Sequence, residues 1–230
     1  MRPPGKLLAS GRDADIFECG PGLVLRRARS GRSLAEEART MAYARDQGYP
    51  VPAVEELSDD GSELVMERID GVSMVDALTR RPWTLWKQGA VLADLHRRLH
   101  DIPAPDWVPP AFTGDGDQLL HLDLHPLNVM VTATGPVVID WPRAARGDGG
   151  VDVAITWLLM AAATVPSRGI EALVQGRFRR MLIDAFVRGV DVDGARRHLP
   201  AVAEWKCEDE NMSPVERDAM RAFAAKAAPS

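Results

Sequence analysis

A short segment near the middle of the chain combines polar residues whose types and spacing suit phosphoryl transfer. Residues 121–128 read HLDLHPLN, so Asp123 stands five positions before Asn128, and Asp140 follows twelve positions after that amide. Carboxylate and amide oxygens from one or two side chains, completed by water and substrate phosphates, usually hold Mg²⁺ in phosphoryl-transfer sites. The three residues therefore predict a phosphotransferase site, in which an aspartate holds the acceptor hydroxyl opposite the metal ligands.

A β-hairpin is predicted to bring these residues together. The runs LLHLDLHPLNVMV and GPVVIDW flank a turn at residues 132–135, which is the pattern of two paired strands. Asp123 and Asn128 lie on the loop before one strand and Asp140 ends the next, so all three return to the same edge. A single aspartate at such a place is more often a cap or a solvated side chain. The combined H-x-D-x(4)-N and I-D-W pattern favours a functional site.

The N-terminal part of the chain is predicted to be a small antiparallel sheet with one helix. The runs LLAS, DIFEC and LVLRRA are rich in apolar residues and are separated by glycines, as expected of a meander. In residues 34–48, apolar side chains recur at helical spacing, glutamates occupy the first turn, and Gly48 follows the end. A further apolar run, SELVMERI, is short enough to be a strand. We place the end of this lobe near residues 67–71.

The remainder of the chain is predicted to be mostly helical. QGAVLADLHRRLHD has helical periodicity, a loop rich in Pro, Gly and Asp follows it, and residues 151 to about 225 look almost entirely helical. A chain of 230 residues needs only one core. The expected fold class is α+β, with an N-lobe at residues 1–66, a hinge at 67–71 and a C-lobe at 72–230.

Composition argues against several other classes of protein. The chain is 46% hydrophobic and 27% charged, as globular proteins are, and its formal net charge of −5 offers no basic field to nucleic acid. The longest apolar stretch, residues 151–165, contains Asp152 and is shorter than the roughly 20 residues of a membrane-spanning helix. No secretory signal pattern is visible, and Cys19 and Cys207 are isolated. We expect a cytoplasmic protein without nucleic-acid or membrane partners. The sequence gives no indication of an oligomeric state.

The segments HLDLHPLNV and VVIDW resemble the catalytic loop and the metal-binding strand of the aminoglycoside phosphotransferase and choline kinase family. The resemblance covers most of residues 7–160. It implies a bilobal protein-kinase-like fold with ATP bound between the lobes. It also implies that Asp123 is the catalytic base or positions the acceptor hydroxyl, and that Asn128 and Asp140 bind Mg²⁺.

Three further residues are implied to support the catalytic loop. Asp152 matches the family's aspartate that starts the next helix and holds the loop through backbone hydrogen bonds, although an acid near a helix start is also a common cap. His121 and His125 resemble loop-bracing residues. Because no cysteine or further histidine stands at ligand spacing, neither is expected to bind zinc.

The same resemblance places the nucleotide phosphates. Strand alternation puts Val24 and Arg26 on one face of LVLRRA, where such kinases carry a basic residue, usually lysine, that contacts the phosphates. Val24 would then cover the adenine. Arg26 needs an acidic partner from the following helix, and the resemblance favours Glu37 over Glu36. Arginine in place of lysine is a larger, planar and permanently charged group.

Further nucleotide contacts are implied elsewhere in the N-lobe. In ELVMERIDG, the Glu67 carbonyl and the Ile69 amide would bond the edge of the base, and Met66 would line the pocket. The turn at residues 10–14 begins at Ser10 and lies where a loop covering the phosphates belongs, although its single glycine is a weak signal.

The acceptor is less well defined than the nucleotide. We expect transfer of the γ-phosphate of ATP to a hydroxyl of a small molecule, such as an aminoglycoside-like compound, an amino alcohol or a sugar. The long helical insertion of aminoglycoside-resistance enzymes is missing, so residues 160–230 build the acceptor pocket or the site is shallower. Acidic tail residues could receive a cation or only be solvated: Glu204, Glu208, Asp209 and Glu210. A compact atypical protein kinase and a silent nucleotide-binding pseudokinase stay as alternatives.

Overall fold

A computed structural model describes residues 2–11, 14–29, 31–162, 169–209 and 212–227. Its internal contacts divide the chain into two compact units, each made of two segments. The first unit comprises Met1–Val72 and Val129–Ala144, and the second comprises Ser73–Asn128 and Ala145–Ser230. The lobe and hinge boundaries expected from the sequence are functional divisions and stay predictions.

The first unit is built on a five-stranded antiparallel sheet. Its strands are β1 (Leu7–Ser10), β2 (Ala14–Glu18), β3 (Leu23–Ala28), β4 (Val54–Leu57) and β5 (Glu63–Glu67). They lie in the order β1-β2-β3-β5-β4, so β3 occupies the centre. The four strands expected from apolar runs are present. β4 was not expected, because its sequence VEEL is half acidic and follows a proline-rich segment.

One helix, α1 (Ala35–Asp46), contacts β4 in this unit. The Ser33 hydroxyl oxygen accepts a hydrogen bond from the Ala35 amide (3.2 Å) at its start. At its end Gly48 adopts a φ of +78° and donates its amide to the Arg45 carbonyl. Such a left-handed residue is the usual reason for glycine just after a helix, and the expected helix is confirmed.

A smaller sheet in the first unit carries the expected hairpin. Its strands are β6 (Gly71–Ser73), β8 (Val129–Thr132) and β9 (Pro136–Val138), in the order β6-β8-β9. β8 and β9 pair antiparallel, with Val129 opposite Val138. A Cβ atom on Gly71 would lie 2.7 Å from the Val131 carbonyl oxygen, so only glycine allows this close approach.

The second unit contains most of the helices. The two strands β7 (Gln118–Leu120) and β10 (Ala145–Gly147) pair antiparallel. The helices are α2 (Met74–Arg80), α3 (Leu85–His100), α4 (Gly149–Ala162), α5 (Gly169–Val187), α6 (Val192–Cys207) and α7 (Pro214–Ala227). Short 3₁₀ helices occur at Pro82–Thr84 and Pro126–Asn128. This helical composition confirms the expected α+β class.

The core of the second unit forms around α4. This helix is buried along most of its length and packs against α6 and α7, while α3 packs against α5. The apolar stretch at residues 151–165 is thus a buried helix as far as Ala162, and its last three residues lie outside the described part of the chain. None of the described helices is both long enough and apolar enough to cross a membrane.

Candidate active site

The candidate catalytic loop, residues 121–128, belongs to the second unit. It leaves β7 at Leu120 and ends in a 3₁₀ turn. Asp152, in the first turn of α4, accepts hydrogen bonds from the backbone amides of His121 (3.0 Å) and Leu122 (2.8 Å). Leu122 has a φ of +57°, a conformation that a non-glycine residue keeps only where its surroundings fix it. The structure therefore contains the expected hydrogen bonds between Asp152 and the loop.

Asp152 holds the loop as a fully buried carboxylate. Burial acts to raise the pKa of Asp152, but the hydrogen bond from His100 Nε2 (3.3 Å) and the neighbouring imidazoles bring it well below the usual value. The group is therefore ionised at neutral pH, and ionised acceptors form the stronger hydrogen bonds to backbone amides.

Thr156, one turn further along α4, fixes the loop from a second place. Its hydroxyl donates to the Leu124 carbonyl oxygen (2.5 Å), and His96 Nε2 lies 2.9 Å from the same hydroxyl oxygen. His96 is fully buried, and burial lowers its pKa to about 4, so the imidazole is neutral at pH 7. Helix α4 thus holds the backbone on both sides of Asp123.

Asn128 is oriented by Asp123. Its Nδ2 donates to the Asp123 backbone carbonyl (2.9 Å) and approaches Asp123 Oδ2 (3.3 Å). Because the nitrogen and oxygen of an amide diverge from Cγ within one plane, these contacts fix the direction of the amide through Nδ2 and do not use Oδ1. An amide oxygen of this kind is a suitable ligand for a divalent cation.

Lys206 of α6 is an ion-pair partner of Asp123 that the sequence reasoning missed. Its Nζ lies 3.0 Å from Asp123 Oδ1, and its side chain is only 5% exposed. Burial acts to raise the pKa of Asp123, but the ammonium group of Lys206, through its charge and its hydrogen bond, outweighs burial and lowers it. Asp123 is therefore an ionised carboxylate in a fixed direction.

A signal for Lys206 exists in the sequence of α6. Lys206 follows Leu199, Val202 and Ala203 at helical spacing, and all three of these residues are buried. A cation on the apolar face of a helix requires a buried partner, because an unpaired charge is costly in a core. The pattern indicates that a partner exists but does not identify it.

The two loop histidines have different surroundings. His125 Nε2 lies 3.7 Å from Asp123 Oδ2, and its Nδ1 accepts a hydrogen bond from the Leu127 amide (3.3 Å). His121, the first residue of the loop, is fully buried. Among the described residues, no group of three or more His, Cys, Asp or Glu could hold a metal ion. A magnesium site completed by water and phosphate does not require such a group.

The first unit contains a separate cluster around Arg26 of β3. Both terminal nitrogens of its guanidinium lie 3.1 Å from Asp140 Oδ1, and Nη2 lies 3.6 Å from Glu37 Oε1. Arg26 and Glu37 are buried, whereas Glu36 is exposed. The ion pair that the sequence favoured, with Glu37 and not Glu36, is therefore present. The pairing with Asp140 was not expected.

Glu37 and Asp140 differ in their surroundings. Burial raises the pKa of Glu37 against the opposing charge of Arg26. Asp140 follows β9 with a φ of +68°, and its side chain is 41% exposed. One buried cation thus stands between two acids, one of which is accessible. Within the described residues, Arg26 Nε and Glu37 Oε2 are buried without a hydrogen-bond partner. An exposed carboxylate beside an acidic excess suits a divalent cation.

The other residues predicted to contact the nucleotide also lie in the first unit. Val24 is buried on β3, Met66 and Glu67 end β5, and Ile69 follows as a half-buried residue. The Glu67 carboxylate accepts a hydrogen bond from the Ala53 amide (3.0 Å). The nucleotide contacts expected of Val24, Met66, Glu67 and Ile69 stay predictions.

The predicted phosphate-covering turn is only partly described. Ser10 donates its hydroxyl to Asp15 Oδ1 (2.7 Å) across the β1–β2 turn, and the Gly11 amide donates to the Ala14 carbonyl (2.9 Å). Residues 12 and 13 lie outside the described part of the chain. The role of Ser10 toward a nucleotide stays a prediction.

A family model described as the phosphotransferase enzyme family matches residues 5–117 and 113–197. The chain belongs to this family. The match confirms the predicted relationship and the predicted enzyme class, a small-molecule phosphotransferase. It ends before Lys206, which therefore lies outside the part of this phosphotransferase that the family model covers. A search of curated proteins found no match.

Solved structures with the same fold are similar to this phosphotransferase over nearly its whole length. A choline/ethanolamine kinase family protein from Mesorhizobium loti has 16% identity, covering 98% of this chain and 88% of that one, with a TM-score of 0.60. The gentamicin–APH(2")-IIa complex has 15% identity, coverages of 96% and 89%, and a TM-score of 0.62. Amicoumacin kinase hAmiN in complex with AMP-PNP, Ca²⁺ and Ami has 15% identity, coverages of 96% and 86%, and a TM-score of 0.57. At these identities the likeness establishes the fold.

Proposed function

We propose that this phosphotransferase moves the γ-phosphate of ATP to a hydroxyl group of a small molecule, with Asp123 as the catalytic residue. The main observation that supports this proposal is the environment of Asp123. Its carboxylate pairs with Lys206 and contacts Asn128, and its loop is held by hydrogen bonds to residues of α4. An ionised carboxylate held in one direction can accept a proton from an acceptor hydroxyl.

In the proposed reaction Asp123 orients the acceptor and receives its proton. The acceptor oxygen forms a bond to the γ-phosphorus, the bond between that phosphorus and the β–γ bridging oxygen breaks, and ADP leaves with the electron pair. The hydroxyl proton passes to Asp123. Lys206 holds the carboxylate in its ionised form. Phosphoryl transfer depends mainly on such positioning and on compensation of charge.

The proposal assigns the nucleotide to residues of the first unit. Arg26 would contact the phosphates while Glu37 limits its rotation, and Val24 and Met66 would enclose the base. The Glu67 carbonyl, the Ile69 amide and Ser10 would supply the remaining contacts. The complex of amicoumacin kinase with AMP-PNP supports a nucleoside triphosphate as donor.

Asn128 and Asp140 would hold Mg²⁺, whose charge would compensate the phosphate oxygens when it is bound. The direction of the Asn128 amide and the exposure of Asp140 fit this role. Ca²⁺ in the amicoumacin kinase complex supports a divalent metal in a similar fold. The free thiols of Cys19 and Cys207 fit the reducing cytoplasm predicted for the protein.

A screen for ATP consumption and phosphorylated product tests the proposal. Purified protein with Mg-ATP would be offered aminoglycosides, amino alcohols, sugars and apolar alcohols, and products would be identified by mass spectrometry. We expect phosphate on a hydroxyl of at least one class. Labelling of protein alone, with all small alcohols inert, would instead identify an atypical protein kinase. Tight ATP binding without turnover on any acceptor would identify a silent nucleotide-binding module.

A further inference from the structure

The second unit contains a cavity of about 600 Å³ with an almost entirely apolar wall. Aliphatic and aromatic side chains from α2, α3, α5 and α7 form most of it, among them Val75, Leu78, Leu85, Phe178, Leu182 and Met220. Val75 and Phe178 are also among the exposed large hydrophobic residues. A cavity of this volume accommodates a compound of drug size.

The catalytic loop forms one side of this cavity. His125, Pro126 and Leu127 belong to the wall, and His125 Nε2 is 3.7 Å from Asp123 Oδ2. The residues proposed to contact the nucleotide base and phosphates lie in the first unit and do not line it. Only the side chain of His125 therefore separates the cavity wall from the proposed catalytic carboxylate within the described part of the second unit.

The charges along the wall do not suit a polycation. Among the described lining residues, Arg179 and Glu216 provide one charge of each sign. The Glu216 carboxylate also accepts hydrogen bonds from the amide (3.0 Å) and the hydroxyl (2.8 Å) of Ser213. A compound with several ammonium groups would lose hydration in such a cavity and meet only one opposite charge, that of Glu216, among the described lining residues, which is unfavourable.

The acidic residues of the tail do not change this balance. Glu204 pairs with Arg221 through two contacts of 3.1 and 3.2 Å, and neither Glu208 nor Asp209 lines the cavity. Glu210, the fourth residue considered from the sequence, lies outside the described part of the chain. The described tail therefore gives the cavity no carboxylate cluster.

We infer that the acceptor is an uncharged hydroxyl compound with a large apolar body, which occupies this cavity and presents its hydroxyl to Asp123. The inference rests on the proposed function and specifies its substrate class. Burial of apolar surface provides most of the binding free energy for such a compound, and the hydroxyl is the one group that must meet a polar partner.

Two matched panels test this inference with the full-length protein. One contains uncharged alcohols with long-chain, polycyclic or macrocyclic bodies, and the other contains aminoglycosides and small amino alcohols. Binding is measured by calorimetry without nucleotide, and transfer is measured as phosphorylated product with Mg-ATP. We expect apolar alcohols to bind and to be phosphorylated with a KM at least about tenfold lower than that of any aminosugar.

Val75→Asp and Val215→Asp form a matched pair of variants. Val75 lines the cavity and is 38% exposed, while Val215 is 67% exposed and lies outside the lining. A carboxylate at position 75 disfavours an apolar occupant, so V75D should raise the Kd and the KM for the acceptor about tenfold or more. V215D should behave as the wild type.

The outcomes separate this inference from the proposed function. Phosphorylation of aminoglycosides with equal kinetics in V75D and V215D overturns the inference and leaves the phosphotransferase intact. A second outcome is that apolar alcohols bind the wild type and bind V75D weakly but are never phosphorylated. This outcome supports the cavity and its ligand class and overturns the proposed transfer. Absence of calorimetric binding by every apolar alcohol overturns the inference whatever the turnover.

Discussion

The two charged clusters of this phosphotransferase differ in how their carboxylates are held. In the first unit, Arg26 lies between Glu37 and Asp140, which gives an acidic excess with one accessible carboxylate. In the second unit, Asp123 is paired with Lys206 and its side chain is 22% exposed. The first cluster can therefore take up a further cation, whereas the second keeps one carboxylate ionised and directed.

This difference predicts separate kinetic effects. Changes in the first cluster should mainly alter the use of nucleotide and metal, and changes in the second should mainly alter the transfer step. In kinetic terms, loss of an interaction made only in the transition state lowers kcat, and loss of ground-state binding raises KM.

The largest effect is expected for Asp123→Ala. Without a group to accept the hydroxyl proton, kcat should fall at least about 1,000-fold, while the Kd of Mg-ATP stays within about twofold of the wild type. Single-turnover kinetics and calorimetry measure the two quantities. Asp106→Ala serves as the control, because the Asp106 side chain is fully exposed. Equal turnover in D123A and the wild type would remove Asp123 from the mechanism.

Asp152→Ala should disturb the second cluster through its support. The amides of His121 and Leu122 lose their buried acceptor, so the free energy of unfolding should fall by about 3 kcal/mol and transfer should fall with it. Denaturant unfolding gives the stability. The comparison variant Asp191→Ala removes only the cap of α6, where the side chain accepts from the Gly194 amide, and should cost about 1 kcal/mol. A D152A protein as stable as D191A would contradict the role of Asp152.

Arg26→Ala should affect the first cluster alone. It removes the cation between Glu37 and Asp140, so kcat/KM for ATP should fall about 10- to 100-fold, with the KM for the acceptor little changed. Arg27→Ala is the matched control, because Arg27 is the next residue of the strand and its guanidinium pairs with Glu63 and lies over the Phe17 ring. A larger effect on the acceptor than on ATP would show that the division between the clusters is wrong.

Lys206→Met should give the smallest loss of activity, about tenfold in kcat, with a characteristic pH dependence. In the wild type the pKa of Asp123 is lowered, so transfer persists until the pH falls through that low value. Without the ammonium group, burial raises this pKa, and the acid limb of the kcat/KM profile should move to higher pH. Lys226→Met, at an exposed lysine of α7, should leave the profile unchanged. A lower rate with an unshifted acid limb would show that Lys206 contributes by packing and does not act on the pKa of Asp123.

Local periodicity and the family resemblance together explain which contacts could be predicted from the sequence. Strand alternation places Arg26 on one face and helical spacing distinguishes Glu36 from Glu37, but the preference for Glu37 as the partner follows from the resemblance. The hydrogen bonds that Asp152 accepts from the loop amides follow from a family pattern that places this acid at the start of a helix. These relationships depend on short motifs, so they can be predicted once the motifs of the sequence are matched to a family.

Long-range pairing explains what could not be predicted. Asp123 and Lys206 are 83 positions apart, and nothing in the pattern of α6 specifies which acid its buried lysine meets. The strand Gln118–Leu120 likewise pairs with Ala145–Gly147 and not within the predicted hairpin. Such partners are chosen by the packing of whole helices and strands, which a local pattern does not determine.

Arginine at position 26 also has a consequence for chemical labelling. Reagents that acylate lysine through a nucleotide carrier require a neutral amine near the phosphates. A guanidinium stays protonated at any pH at which the protein is folded and is a poor nucleophile. Of the four lysines in the chain, Lys206 is buried against Asp123 and so has little access to such a reagent. Acylation by such a reagent should therefore leave position 26 unmodified even when ATP is bound.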